Sequence, residues 1–163
     1  MREQSSGAIV MTTSSSGLYG NFGQSNYGAA KMALVGLMNV LCLEGEKYNI
    51  RINCIAPIAS TGMTTELLET DQHQVLTPES VSPGVLFLLG PNGPNRTILC
   101  AGGGSYAVTH LYETQGRYLP VGARTPEGIA NAFSAIASPE HEAPFVQGNQ
   151  QTEKFVAMAR AQS

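Results

Sequence analysis

The chain has 163 residues, 42% apolar and 13% charged, enough for one globular domain and unlike a disordered or membrane-embedded sequence. A formal net charge of −3, with no basic block, argues against a nucleic-acid partner held by bulk electrostatics. Met1 to Ser6 is too polar and too short for a signal peptide, and no uninterrupted run approaches the ~20 apolar residues of a membrane span, so no membrane partner is expected. Cys42, Cys54 and Cys100 are an odd set at wide spacings in apolar segments, which reads as buried free thiols in a reducing compartment rather than disulfides or ligands. His73, His110 and His141 are scattered, so no metal site is expected.

The first element is a short apolar strand, Ile9 to Met11, that runs out into the hydroxyls of Thr12 to Ser16 and a Gly/Asn-rich loop. Polar groups thus collect at the carboxyl end of a buried strand, where open α/β sheets place their ligands. Ser25 or Asn26 then caps a helix spanning about Tyr27 to Lys47. Tyr27 and Lys31, four apart, share one face of it, and an ammonium beside a phenol favours the phenolate, which equips the pair to give and take a proton. The helix is apolar on more than one face. Leu34, Leu37, Met38 and Leu41 form one stripe, and Met32, Val35, Val40 and Leu43 fall outside it. Such a helix is buried on two sides, one against the sheet and the other against a second protein surface.

A second strand, about Ile50 to Ile55, ends at Ala56-Pro57, where proline stops ladder donation. Ile58 to Thr77 reads as irregular, with a short helix near Thr64 to Glu69 that Thr64 would cap. Thr77-Pro78-Glu79 starts a helix with a hydroxyl cap and proline at the first position. It carries Val81, Val85, Leu86, Leu88 and Leu89 and ends at Gly90. Thr97 to Ala101 is the third strand, giving three parallel strands (the others near Gly7 to Thr12 and Ile50 to Ile55) joined by right-handed helical crossovers. Gly102-Gly-Gly104 lacks phosphate-loop spacing and reads as a strand exit, followed by an extended segment near Ala107 to Glu113. Thr125-Pro-Glu127 opens a helix to about Ala137, Ser138 to Gln151 is a loop, and Thr152-Glu-Lys-Phe opens a last helix.

Ser14, thirteen residues before Tyr27, together with Asn26-Tyr27-x-Ala-Ala-Lys31 and Arg51-Ile-Asn-Cys-Ile-Ala-Pro57, resembles the active-site segments of the short-chain dehydrogenase/reductase family. Ser16-Gly-Leu-Tyr-Gly-Asn-Phe-Gly-Gln-Ser-Asn-Tyr27 is similar, within it, to the (3R)-hydroxyacyl-CoA dehydrogenase domains of type 2 multifunctional enzymes and their bacterial relatives. The resemblance runs from about Gly7 to the C-terminus. It implies an α/β, Rossmann-type doubly wound fold of which this chain is the second half, with residues 105–163 as a family-specific extension beside the acyl pocket.

The same resemblance implies an NAD- or NADP-dependent oxidoreductase interconverting a hydroxyacyl and a ketoacyl substrate. Tyr27 would be the general acid/base, Lys31 its electrostatic partner and a ligand of the nicotinamide ribose, and Ser14 the residue that orients the reacting oxygen, with Ser15 and Ser16 as alternatives. Asn53 would support the loop carrying Tyr27, Pro57 would close over the nicotinamide, and Thr64 would bond its carboxamide. Where the family commonly has Pro-Gly, this chain has Pro57-Ile58. Most of the cofactor site, including the Gly-rich turn for the pyrophosphate, is expected upstream of Met1. In the family the helix 27–47 packs against its copy in a homodimer. The expected location is cytoplasmic, with a peroxisomal one open for a eukaryotic source although no C-terminal peroxisomal signal is present. The alternative is a non-catalytic paralogue or fragment acting as a dimerisation or interaction module.

Overall fold

The computed structural model describes residues 1–61 and 69–161. The chain divides into two compact units, Met1–Thr109 and His110–Ser163.

The first unit is built on a sheet of order β1-β2-β3-β4: β1 Gly7–Thr12, β2 Ile50–Pro57, β3 Ile98–Gly102 and β4 Ser105–Thr109. The first three strands are parallel, as the sequence indicates. The fourth is antiparallel to β3 and begins two residues earlier than the extended segment expected there. The reason lies in the glycines. Gly103 and Gly104 both take positive φ (57° and 75°), the conformation of a two-residue hairpin turn that L-residues resist, so the chain folds straight back on β3.

Between β1 and β2 run α1 (Ser15–Tyr19) and α2 (Ser25–Gly45), and between β2 and β3 run α3 (Thr70–Val75) and α4 (Ser82–Leu89). Side chains alternate across a strand, and β2 uses both faces. Ile52 and Cys54 pack with Val35, Met38 and Cys42 of α2, while Ile55 joins Val81 and Leu88 on the α4 side. Helices therefore cover both faces, the layering of an α/β sheet. Full burial of side chains such as Met38, Ile52 and Leu88 contributes roughly 1.5–3 kcal/mol each.

Several local expectations need correction. The helix carrying Tyr27 begins at Ser25, with Gln24 as its N-cap and no side-chain cap bond, because the Asn26 Oδ1 accepts from the adjacent Tyr27 N–H instead. Its α-helical part ends at Gly45, and Glu46–Tyr48 tightens into a 3₁₀ turn. The buried face of α2 is Val35, Met38, Cys42 and Gly45, which cuts across both stripes read from the sequence. Gly45 is what lets this face close on the sheet, since a β-carbon there would lie 3.0 Å from the Ile50 carbonyl oxygen. Leu37, Val40 and Leu43 are left exposed. By length and composition the helical stretch Ser25–Tyr48 would pass for a membrane span, although its buried side chains pack on the sheet.

Thr77 makes no side-chain cap. Pro78–Ser80 is a 3₁₀ turn and α4 starts at Ser82, with Pro83 in its first turn. Asn53, fully buried, donates to the Pro94 carbonyl (2.8 Å) and accepts from the Thr97 N–H (2.9 Å). It thus ties β2 to the loop before β3, not to the loop carrying Tyr27. The helix expected near Thr64 to Glu69 falls largely on residues outside those described, and Glu69 is the N-cap of α3.

The second unit contains α5 (Pro126–Ile136), capped by Thr125 as expected, and α6 (Asn149–Arg160), which begins three residues before the expected Thr152. Glu113 pairs with Lys154 at 2.5 Å and accepts from Gln151, so the early turns of α6 are fastened to the chain that leads into α5. Lys154 and Gln151 together hold the Glu113 carboxyl below its ordinary range.

Candidate active site

The exit of β1 is stitched to α2 in both directions. The buried Thr13 donates its hydroxyl to the Lys31 carbonyl at 2.8 Å, and the Lys31 Nζ donates back to the Thr12 carbonyl at 2.9 Å. The Thr13 N–H is in turn held by the Ile55 carbonyl of β2, 2.8 Å away. This fixes the ammonium at the carboxyl end of the first parallel strand. One helical turn earlier stands Tyr27, with its ring centroid 5.6 Å from Nζ and 44% of its surface exposed to an incoming molecule.

Ser14 reaches this corner through α1. It is the N-cap of that helix, and its Oγ accepts from the Ser16 N–H at 3.2 Å. Two glycines bring α1 against α2. A β-carbon on Gly17 would lie 2.9 Å from both Lys31 Cβ and the Met32 backbone nitrogen, and one on Gly28 would lie 3.0 Å from the Ser16 carbonyl. Ser14, Tyr27 and Lys31 are therefore carried to one end of the sheet by β1, α1 and α2. Among the described residues the pair in direct register is Tyr27 with Lys31, and Ser14 is engaged with its own helix. Ser16 is buried, which leaves it poorly placed as an alternative to Ser14. Pro57 is the last residue of β2, paired with Ala101, at the same end of the sheet. Thr64 lies outside the described residues.

Sequence reading missed Thr13, Gly17 and Gln24. Thr13 is one hydroxyl in a run of five (Thr12 to Ser16), and nothing local distinguishes the one that binds α2. Gln24, at the start of α2, keeps a buried side-chain oxygen without a hydrogen-bond partner among the described residues. An orphaned buried acceptor suits a polar ligand carrying its own donors. The Lys31 ammonium has three N–H groups and commits one to Thr12, which leaves donors for hydroxyls such as those of a ribose. The residues present thus fit the nicotinamide end of a dinucleotide. A Gly-rich strand–turn–helix for its pyrophosphate is not found among the described residues.

The three cysteines are free thiols. Burial pushes Cys54 up to about 11 and raises Cys42 as well, which keeps both protonated and poorly nucleophilic. No group of three or more metal-ligating side chains occurs among the described residues.

The sequence profile of the short chain dehydrogenase family matches residues 1–72. A Mycobacterium tuberculosis protein of the short-chain dehydrogenase/reductase type is 50% identical over 116 residues, covering 71% of this chain and 41% of that protein. Peroxisomal multifunctional enzyme A of Dictyostelium discoideum is 40% identical over 139 residues, covering 85% of this chain and 31% of that enzyme. The solved structure of full-length peroxisomal multifunctional enzyme type 2 from Drosophila melanogaster superposes with a TM-score of 0.81 at 29% identity, covering 96% of this chain and 29% of that one. The chain thus spans less than half the length of these relatives. Residues 1–72 thus match the model of the short-chain dehydrogenase/reductase family, and over most of its length the chain is similar to part of proteins that carry that family's name.

Proposed function

We propose that this chain is the catalytic half of an NAD- or NADP-dependent oxidoreductase that interconverts a secondary alcohol and a ketone, with a 3-hydroxyacyl and 3-ketoacyl thioester as the substrate pair. The observation that carries this reading is the reciprocal Thr13–Lys31 and Lys31–Thr12 bonding, which fixes an ammonium beside an exposed phenol at the ligand-binding end of the sheet. In the reductive direction the Tyr27 hydroxyl gives its proton to the carbonyl oxygen as that oxygen becomes an alkoxide, and the Lys31 ammonium stabilises the phenolate left behind. Ser14 turns its hydroxyl from the α1 cap to the same oxygen and orients it. The nicotinamide supplies the hydride. Lys31 would hold the cofactor's ribose and Pro57 would close over its nicotinamide, with Thr64, outside the described residues, assigned to the carboxamide by the family resemblance alone.

Residues 1–163 act in this reading as the second half of a single domain, with the pyrophosphate cradle supplied by a preceding half. Residues 105–163 serve as a family-specific extension. The name of another relative, the acetoacetyl-CoA reductase of a Synechocystis species, 37% identical over 101 residues, supports an acyl-thioester substrate, and the family's use of NAD or NADP supports the cofactor. The three free, widely spaced cysteines are compatible with a reducing compartment such as the cytoplasm.

A second reading, an interaction module without activity, is favoured by a different observation. Among the described residues β1 pairs on one side only, and beside it lies a cavity of about 630 Å³ lined by Ile9, Leu41, Ile50 and Ile52. A partner half that completes the sheet would occupy both. The two readings part when the corresponding N-terminal half of the Mycobacterium tuberculosis relative is fused ahead of Met1. Oxidation of NADH or NADPH by acetoacetyl-CoA should then appear where this chain alone shows none. A folded fusion that binds cofactor and stays inactive would favour the module.

A further inference from the structure

The second unit contains a pocket of its own, lined entirely by residues 117–158. Its floor comes from the two helices. Ile129 and Ile136, seven apart on α5, share one face, and Phe155 and Met158, three apart on α6, share another. Its rim is the segment between the two units' boundary and α5, which brings Arg117 and Arg124 to the same opening. It is an open groove with a volume of about 350 Å³, at the small end of the ~300–1,000 Å³ typical of small-molecule sites.

The rim is built rather than loose. Arg124 donates through Nε to the Leu119 carbonyl at 3.1 Å and through Nη2 to the Tyr118 hydroxyl at 3.2 Å, with its guanidinium 5.5 Å from the Tyr118 ring centroid. Gly128 seats the turn Val121–Ala123 on the start of α5, because any β-carbon there would collide with the Ala123 carbonyl. Arg117 follows Gly116, whose φ of 74° sets the bend, and its guanidinium has no hydrogen bond or ion pair among the described residues. Arg124 spends two of its five N–H donors and Arg117 none, and neither pairs with a carboxylate. Two uncompensated guanidinium groups over an apolar floor match a ligand with an anionic head and a short apolar tail, since planar forked donors suit carboxylate and phosphate oxygens.

We propose that this pocket binds a small anionic amphiphile, a phosphate- or carboxylate-headed molecule with an aliphatic chain, with Arg117 and Arg124 on the head and Ile129, Ile136, Phe155 and Met158 on the tail. The claim stands apart from Tyr27, and its test does not depend on activity. Octyl phosphate and octanoate, each below its micelle concentration, are titrated calorimetrically into the full chain, with inorganic phosphate and octanol as controls. Saturable binding of at least one amphiphile is expected, with neither control matching it. Arg117→Gln, at an exposed side chain without intramolecular bonds, should weaken that binding at least tenfold and leave the melting temperature unchanged. Met158→Asn should weaken it through the tail. Octanol binding as tightly as octyl phosphate and octanoate would remove the guanidinium role, and inorganic phosphate binding equally well would reduce the site to an ion site. Failure of both amphiphiles to bind, or binding unaffected by Arg117→Gln, would overturn the proposal.

Discussion

A β-carbon added to Gly17 meets the Met32 backbone nitrogen and Lys31 Cβ at 2.9 Å, and neither can turn away as a flexible side-chain tip could. Alanine would gain up to about 1 kcal/mol of helix propensity in α1. Overpacking against a fixed backbone costs about 1–3 kcal/mol, so the clash wins. Gly17→Ala should therefore lower unfolding stability by roughly 1–2 kcal/mol in a urea titration of the fused, two-half enzyme, and it should slow turnover more than a distant substitution of equal cost, because it pushes α1 off Lys31. Unchanged stability would mean that α1 and α2 do not meet as closely as described. At this scale the sequence was uneven. Tyr27 and Lys31 could be found because a helix makes their spacing meaningful, and Ser14 because of its offset from Tyr27. Thr13 and Gly17 act through contacts with residues fourteen or more positions away, which no local pattern encodes.

The elements of the first unit follow from apolar runs and breakers, and the three parallel strands lie where Val/Ile-rich stretches end in hydroxyls, Ala-Pro or glycine. Caps and faces were harder to read. Thr125 caps α5 because nothing nearby competes for its oxygen, whereas Thr77 yields to a 3₁₀ turn in which Ser80 donates to the Thr77 carbonyl at 2.6 Å. The face of α2 could not be read from a stripe, because a helix rich in Leu, Val and Met all round leaves Gly45, not hydrophobicity, to decide which side closes on the sheet. Its outer stripe, Leu37, Val40 and Leu43, remains 45–53% exposed. We take this stripe as the seat of a homodimer in the full-length parent. Val40→Lys on the fused enzyme should shift the sedimentation coefficient from dimer to monomer without changing the circular dichroism. A dimer that survives the substitution would place the contact elsewhere.

For the whole molecule, length set against relatives matters more than composition. The chain spans 41% and 31% of two relatives, and its sheet has β1 at one edge with a cavity of about 630 Å³ beside it. The fold class was legible because strand, helix and strand alternate. The β3–β4 hairpin was not, because three successive glycines fit a strand exit and a tight turn equally well until their φ values are known. The division after Thr109 follows from that hairpin, which returns β4 to the first unit. The central claim is that Tyr27 carries the proton and Lys31 also holds the cofactor. It is tested most directly by measuring NADH affinity and the rate of ketone reduction together in the fused enzyme, in the parent sequence and in Tyr27→Phe. The account predicts a rate lower by about 10²–10⁴-fold, the usual share of general acid catalysis, with cofactor affinity within about twofold of the parent. A rate unchanged by Tyr27→Phe would contradict it.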